Sequence, residues 1–233
     1  MIHMNDIAEN IRQIKERITN AAMGCGRSPK DVGLVAVTKT VSPEQIRKAA
    51  EAGLDCFGEN YIQEADKKIT ALADIGVSWH FIGYLQSNKA KYAVRLFDLI
   101  HSVDSLKLAK ELNRQAARHG RVQKILIQVN LGGEKTKSGA AKQAAEELIR
   151  DVAMLENLSV RGLMTLPPFF DAPEKVRPYF RQLAELRREI AAKNIANVEM
   201  DELSMGMTGD FEPAIEEGAT LVRVGTAIFG ERS

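Results

Sequence analysis

Compact apolar segments alternate with amphipathic segments along most of this chain. Eight short apolar runs have the length and composition of buried β-strands. They lie at residues 33–38, 55–58, 79–83, 99–103, 124–130, 159–165, 202–205 and 221–225. The intervening segments, near residues 43–52, 60–73, 87–97, 105–119, 140–156, 174–193 and 210–217, show the apolar spacing of helices.

A further helix is predicted before the first strand, over residues 6–23. Asp6 and Glu9 have the spacing of an N-terminal capping pair. One face of this helix carries a stripe of isoleucines at Ile7, Ile11, Ile14 and Ile18. Such a stripe is expected to pack against the core.

Strict alternation of strands and helices predicts a parallel sheet, because parallel neighbours need crossover connections. Eight such units are what close a (β/α)8 barrel. The alternative is an open, doubly wound sheet, which usually has fewer strands and a glycine-rich first turn. Here the first turn is Thr38-Lys39-Thr40, and no linker divides the 233 residues. We therefore expect one α/β domain over residues 1–233, a TIM barrel preceded by a helix.

Composition excludes several function classes. Lys plus Arg (32) nearly balances Asp plus Glu (31), and no basic patch with interleaved aromatic residues suggests nucleic-acid binding. No segment approaches the roughly 18 apolar residues that span a bilayer. Cys25 and Cys56 form no CxxC pair, which fits a reducing compartment. We expect a soluble, cytoplasmic monomer with no nucleic-acid or membrane partner.

Polar residues collect near the carboxyl ends of the predicted strands. They are Lys39, Glu59, Asn60, His80, Ser102, Asn130, Thr165, Ser204 and Arg223. In a closed barrel these ends share one rim, where barrel enzymes place their active sites. The alternative is that strand ends are polar simply because solvent begins there. Convergence of all eight ends favours a single site.

Lys39 is the sharpest candidate, because a buried strand would carry its amine to the barrel mouth. Partial desolvation disfavours the charged form and makes the amine a usable nucleophile. For a lone lysine, an ion pair or extension into solvent would be the favoured interpretation. The residues that accompany Lys39 favour the nucleophile instead.

The segment from Ser204 to Asp210 and the turn from Arg223 to Thr226 are rich in small residues. Barrels often bind phosphate at the loops after strands seven and eight. Gly206 and Gly225 could instead only permit tight turns. A phosphate cradle facing a lysine indicates a phosphorylated aldehyde, of which pyridoxal 5′-phosphate is the common one.

Other features carry weaker signals. The segment 133–139 is similar to a phosphate-binding loop but lacks its register, and we interpret it as a solvated loop. The four histidines have no metal-ligand spacing. His80 is either a core residue or a neighbour of the cofactor ring.

A set of short motifs resembles the pyridoxal phosphate homeostasis protein family, whose fold is similar to the N-terminal barrel of alanine racemase. The motifs, spread over about residues 5–231, are Ala36-Val37-Thr38-Lys39, Phe57-Gly58-Glu59-Asn60-Tyr61, His80-Phe81-Ile82-Gly83, Leu85-Gln86-Ser87-Asn88-Lys89, Lys137-Ser138-Gly139, Arg161-Gly162-Leu163-Met164, Leu203-Ser204-Met205-Gly206-Met207 and Arg223-Val224-Gly225-Thr226. Tyr84 and Thr208 depart from the family pattern, and we expect neither to touch the lysine or phosphate sites.

The resemblance implies that Lys39 forms a covalent Schiff base with pyridoxal 5′-phosphate and that Asn60 lies by the ring. It implies phosphate contacts from Ser204, Gly225 and Thr226, and an approach of Arg223 to the pyridine nitrogen. His80, Met164, Met205 and Gly206 complete the expected cofactor-binding set, and Lys137 is a possible secondary amine. A guanidinium cannot accept the pyridinium proton, so the ring should be a poor electron sink.

The implied function is non-catalytic: sequestering, buffering or transferring pyridoxal phosphate, with apo-enzymes that need it as partners. One alternative is an amino-acid racemase, which needs a base on each face of the α-carbon. Alanine racemase takes its second base from a C-terminal β domain, and we expect no such domain here. The other alternative is a Schiff-base aldolase acting on a sugar phosphate.

Overall fold

The computed structural model describes residues 6–134, 138–168 and 170–230. Its strands are β1 (Gly33–Val37), β2 (Cys56–Glu59), β3 (Ser78–Phe81), β4 (Leu99–Val103), β5 (Gln123–Asn130), β6 (Ala140–Ala141), β7 (Leu158–Met164), β8 (Val198–Met207) and β9 (Leu221–Val224). Its helices are α1 (Ile7–Gly24), α2 (Pro43–Glu51), α3 (Ile62–Ala71), α4 (Ala90–Leu96), α5 (Leu106–Arg118), α6 (Lys142–Ala153), α7 (Arg177–Ala191), α8 (Phe211–Glu216) and α9 (Thr226–Phe229).

Eight of these strands form a closed parallel barrel. Their order is β4-β3-β2-β1-β9-β8-β7-β5, and β4 pairs with β5 to complete the ring. The predicted barrel is therefore confirmed. Its first strand, β1, pairs with its last, β9. The short strand β6 pairs with β5 outside the ring. The sequence did not indicate β6, because its two alanines read as the start of the following helix.

Several element boundaries differ from those predicted. Strand β8 begins at Val198 rather than residue 202, because its early polar residues face solvent, where Arg161 pairs with Glu199 and Asp201. Helix α3 begins at Ile62 rather than residue 60. Short 3₁₀ turns precede α4 and α7, which delays the start of both α-helices.

Helix α1 packs against α2, α8 and α9 and so contacts elements from both ends of the chain. Asp6 caps it by accepting hydrogen bonds from the backbone N–H groups of Ala8 and Glu9. The predicted isoleucine stripe is buried. Burying a side chain of this size contributes about 1.5–3 kcal/mol. None of the described helices is long and apolar enough to cross a membrane.

The apolar residues form two compartments. The larger lies between the barrel and its surrounding helices. The smaller lies inside the barrel and consists of Val35, Leu99, Leu126, Met164 and Leu221. Side chains alternate in direction along a strand. The residue two positions after each of these five therefore also points into the barrel interior, nearer the mouth. This alternation decides which residues line the cavity described next.

Candidate functional site

A cavity of about 320 Å³ opens at the carboxyl-terminal mouth of the barrel. One wall comes from the ends of β1, β2 and β3, with Val37, Lys39, Asn60 and Ile82. The lining continues around the ring through the ends of β9, β8 and β7, with Leu166, Phe170, Met207, Thr208, Gly209, Asp210, Arg223, Gly225 and Thr226. The volume lies at the lower end of the range for small-molecule sites.

Five of the ten residues predicted to bind a cofactor share this cavity: Lys39, Asn60, Arg223, Gly225 and Thr226. Lys39 follows β1 and is half-buried, so a strand does carry its amine to the mouth. The five come from three neighbouring strands, because β9 pairs with β1 and β1 with β2.

The other five predicted residues do not line the cavity. His80, Met164 and Ser204 lie inside the barrel below it, because each precedes the mouth by two or more residues. Met205 points outward into the compartment beneath the helices. The sequence identified the correct strands but placed the side chains one layer too close to the mouth.

Gly206 supports the turn and does not face the cavity. Its φ of +90° lies in the left-handed region, and a Cβ there would meet the Cβ of Ala214 on α8 at 2.6 Å. The residue thus allows α8 to pack closely on β8. The interpretation of Gly206 as a turn residue fits this geometry.

The loop that follows β8 belongs to the segment predicted to bind phosphate, but three of its residues were not among the expected binding residues. Thr208, Gly209 and Asp210 all line the cavity. The hydroxyls of Thr208 and Thr226 lie 3.5 Å apart. Thr208 was expected to stand apart from the phosphate site, and this expectation is wrong. Tyr84, the other departure from the family pattern, is exposed and lies outside the lining of this cavity.

Asp210 holds this loop in shape. Its carboxylate accepts a hydrogen bond of 2.6 Å from the backbone N–H of Met207. Burial raises the pKa of the Asp210 carboxyl above its ordinary value. The bond closes the turn, so that Thr208 and Gly209 face Thr226 across the gap.

Arg223 forms the floor of the cavity and is 97% buried, since its exposed fraction is 3%. It donates hydrogen bonds to Ser204 Oγ (2.5 Å) and to the backbone carbonyl of Thr165 (3.0 Å). Among the described residues no carboxylate lies within ion-pair distance of it. Burial lowers the pKa of its guanidinium to about 10, so it remains charged at neutral pH. Asp210 supplies an opposite charge that acts on the guanidinium from beyond ion-pair distance. A buried cation that lacks a direct ion pair favours an electron-rich ligand above it.

Two histidines extend this network down the barrel interior. His101 Nδ1 lies 2.8 Å from Ser204 Oγ, and His101 Nε2 lies 3.0 Å from His80 Nδ1. Burial lowers the pKa of His80 to about 4 and that of His101 well below its usual range, so both are neutral. Arg223 is a donor only, so Ser204 Oγ accepts from it. The directions of the Ser204–His101 and His101–His80 hydrogen bonds follow from the tautomer of His101.

Ser204 is therefore fully occupied beneath the cavity. Its side chain has no exposed surface, and its hydroxyl contacts Arg223 and His101. The geometry does not support the expected contact with phosphate. His80 is a buried member of the same chain of hydrogen bonds, two residues before Ile82 in the cavity wall.

Asn60 provides a free polar atom at the cavity wall. Its side-chain oxygen is buried and has no hydrogen-bond partner among the described residues. Gly83 allows this placement, since a Cβ there would lie 2.3 Å from the backbone oxygen of Asn60. Buried polar atoms are almost always paired, so the unpaired oxygen marks a position for a ligand.

The remaining predicted rim residues have local roles. Asn130 accepts a hydrogen bond from the backbone N–H of Gly133 and orders its own loop. Thr165 donates to the carbonyl of Val129. Lys137, predicted as a secondary amine, lies outside the described residues, as does part of the 133–139 segment.

Comparison with known proteins gives a consistent picture. The sequence profile described as alanine racemase, N-terminal domain matches residues 2–233. A pyridoxal phosphate homeostasis protein from Aquifex aeolicus is 48% identical over 224 residues, which cover 96% of this chain and 97% of the relative.

Solved structures agree with the sequence matches. The structure of PipY from Synechococcus elongatus with PLP bound has a TM-score of 0.85 at 36% identity, covering 96% of this chain and 100% of that one. Alanine racemase from Clostridium difficile has a TM-score of 0.73 at 14% identity, covering 98% of this chain and 57% of the racemase. This second likeness concerns the fold alone.

Proposed function

The chain belongs to the alanine racemase N-terminal domain family, and from that premise we propose that it binds pyridoxal 5′-phosphate and acts in the homeostasis of this cofactor. Relatives at 42–48% identity over nearly their full length are named pyridoxal phosphate homeostasis proteins. PipY, which shares the fold and 36% of the sequence, was solved with this cofactor bound.

One observation carries the proposal. Lys39 after β1 and the threonines Thr208 and Thr226 after β8 and β9 line the same cavity, at three adjacent strands of the ring. The cavity also contains the unpaired side-chain oxygen of Asn60 and the buried guanidinium of Arg223. An aldehyde, a phosphate, a polar ring substituent and a ring nitrogen are the groups that these residues suit.

We assign Lys39 as the attachment point of the cofactor through a Schiff base. When bound, the cofactor supplies an aldehyde that exchanges between amines. Lys39 is the lysine that lines the cavity among the described residues. The remaining groups then bind and orient the ring and phosphate around it.

We assign the phosphate to the loops after β8 and β9, with Thr208, Gly209, Gly225 and Thr226. Hydroxyls and small residues at two adjacent turns suit a tetrahedral anion. Arg223 is assigned to the pyridine nitrogen, where its donors favour the unprotonated ring.

We further propose that the protein carries the cofactor without using it for catalysis. The described ionisable residues that line the cavity are Lys39, Asp210 and Arg223, and Asp210 is bound to the loop backbone. Racemisation needs a base on each face of the substrate carbon, and Lys39 alone suits that role. Arg223 also disfavours the protonated ring that would stabilise a carbanion. We also propose that the protein is a single-domain monomer and that it works in the cytoplasm.

A transfer assay distinguishes this proposal from the racemase alternative. Protein loaded with pyridoxal phosphate should restore activity to an apo-transaminase when the two are mixed. The same preparation should form negligible D-amino acids, transamination products or decarboxylation products by itself. Turnover at about 1 s⁻¹ or more, lost in Lys39→Ala, would show that the protein is an enzyme. A Schiff-base aldolase would instead cleave a sugar phosphate without added cofactor.

The threonine cradle has its own test. Thr208→Ala and Thr226→Ala should each weaken pyridoxal phosphate binding by about 1–3 kcal/mol, because each removes a charge-assisted hydrogen bond. The measurement is a titration followed by visible absorbance, with the exposed Thr70→Ala on α3 as the control. Pyridoxal, which lacks the phosphate, should bind the parent much more weakly. Equal affinities of the two vitamers would refute the cradle.

A further inference from the structure

A buried cluster of charged residues lies directly beside the turn that carries Lys39. Lys68 on α3 is 5% exposed and Glu59 at the end of β2 is fully buried. The Lys68 ammonium lies 2.7 Å from Glu59 and 2.6 Å from Glu64, which is one helical turn before it. These residues do not line the cofactor cavity.

The cluster ends on backbone groups on both sides of Lys39. Lys68 Nζ donates to the backbone carbonyl of Thr38 at 2.5 Å. Glu64 accepts from the backbone N–H of Thr40 at 2.5 Å. The side chain of Thr38 donates to Glu59 at 2.6 Å. The residues before and after Lys39 are thus held by one continuous set of hydrogen bonds.

Thr40 shows why such support is needed. Its φ is +65°, in the left-handed region that β-branched residues strongly disfavour. A strained backbone of this kind persists only where surrounding contacts hold it. The backbone carbonyl of Thr38 also accepts a hydrogen bond of 2.9 Å from the N–H of Val41, which closes the turn. We expect loss of the contact to Glu64 to loosen Thr40 within this turn and to let the peptide that follows Lys39 rotate.

We propose that Lys68 and Glu64 are positioning residues that hold the backbone around Lys39, so that its amine stays directed into the cavity. The proposal rests on the assignment of Lys39 as the attachment point. The charged cluster contacts the turn after β1, whereas Thr208 and Thr226 belong to the loops after β8 and β9. Loss of the cluster should therefore impair formation of the Schiff base and spare the binding of ring and phosphate.

Two ligands separate these effects. Pyridoxal 5′-phosphate can bond to Lys39, whereas pyridoxine 5′-phosphate has the same ring and phosphate but no aldehyde. Glu64→Ala should weaken the binding of pyridoxal 5′-phosphate about tenfold, because the reacting amine is misplaced. The affinity for pyridoxine 5′-phosphate should change by less than about twofold. Glu64→Gln keeps an acceptor oxygen and should behave like the parent. Lys67→Ala, an exposed neighbour on α3, is the matched control.

A second pair of variants tests the turn without altering any charge. Thr40→Pro removes the N–H and fixes φ near −65°, so it should reproduce the selective loss. Thr40→Gly accepts positive φ without strain and keeps the N–H, so it should retain binding. Thermal unfolding by circular dichroism shows that each variant is folded.

The outcomes are distinguishable from failure of the proposed function. If Glu64→Ala and Thr40→Pro weaken both ligands equally, or neither, the positioning role is wrong. If borohydride fixes the cofactor of the parent protein at a residue other than Lys39, the attachment assignment itself is wrong. A selective loss with pyridoxal phosphate in both variants supports the proposal.

Discussion

Lys39→Ala should remove all borohydride-fixed pyridoxal phosphate from the protein. Reduction makes the carbon–nitrogen bond between the cofactor and its lysine permanent, so the label should appear on the peptide that contains residue 39. The variant should lose the visible absorption of the bound aldehyde. It should still bind the phosphorylated ring weakly, because Thr208 and Thr226 remain in place.

The matched control is Lys89→Ala. Lys89 lies in a neighbouring cavity that shares Asn60 but is separate from the lining around Lys39. This variant should keep both the absorption and the label. A parent protein labelled mainly at Lys137 or Lys89 would contradict the assignment, and a peptide mass map distinguishes these lysines.

Ser204→Ala should lower the free energy of unfolding by about 2–4 kcal/mol. The hydroxyl is fully buried and joins Arg223 to His101, so its removal leaves one N–H of a buried cation and one ring nitrogen unpaired. Urea unfolding of the cofactor-free protein measures the effect. Cofactor affinity should change as a secondary result of movement of Arg223.

Ser102→Ala is an unusually close control for this experiment. Ser102 is also buried, but its hydroxyl has no hydrogen-bond partner among the described residues. Its removal should leave stability unchanged or slightly higher, because an unpaired polar atom is lost. Equal destabilisation by the two replacements would show that the effect is one of packing and that the hydrogen-bonded chain contributes little.

Much of the fold could be predicted because its signal is local. Each apolar strand and each amphipathic helix is defined by the pattern of a few neighbouring residues. Eight successive strand–helix units are typical of a closed parallel barrel. Lys39 and Arg223 could be identified for a related reason. A charged residue at the end of, or within, a buried apolar strand is unusual enough to be noticed.

Depth within the barrel could not be predicted, since it depends on the register between strands. Ser102 was predicted to face the site from the end of β4, but it is His101 that points into the barrel interior. Neighbouring residues of a strand face opposite sides, so an error of one position in register exchanges the two. Ser204 was placed at the mouth although it lies one layer below. These errors move a side chain by one or two residues and leave its strand correct.

Loop paths and helix rotation escaped prediction for a similar reason. Thr208 reaches the cavity only because Asp210 closes the turn after β8, a bond that composition does not reveal. Lys68 faces the barrel only because α3 begins at Ile62 and presents that side inward. The motif that contains Glu59 was apparent in the sequence, but the pairing of Glu59 with Lys68 on α3 was not.

The pairing of β1 with β9 makes the cofactor site depend on contact between two distant parts of the sequence. Lys39 and Thr226 come from opposite ends of the chain, and they meet only when the final strand enters the ring. Contacts so distant in sequence form slowly. A ligand that bridges the seam between β1 and β9 would stabilise the closed ring selectively.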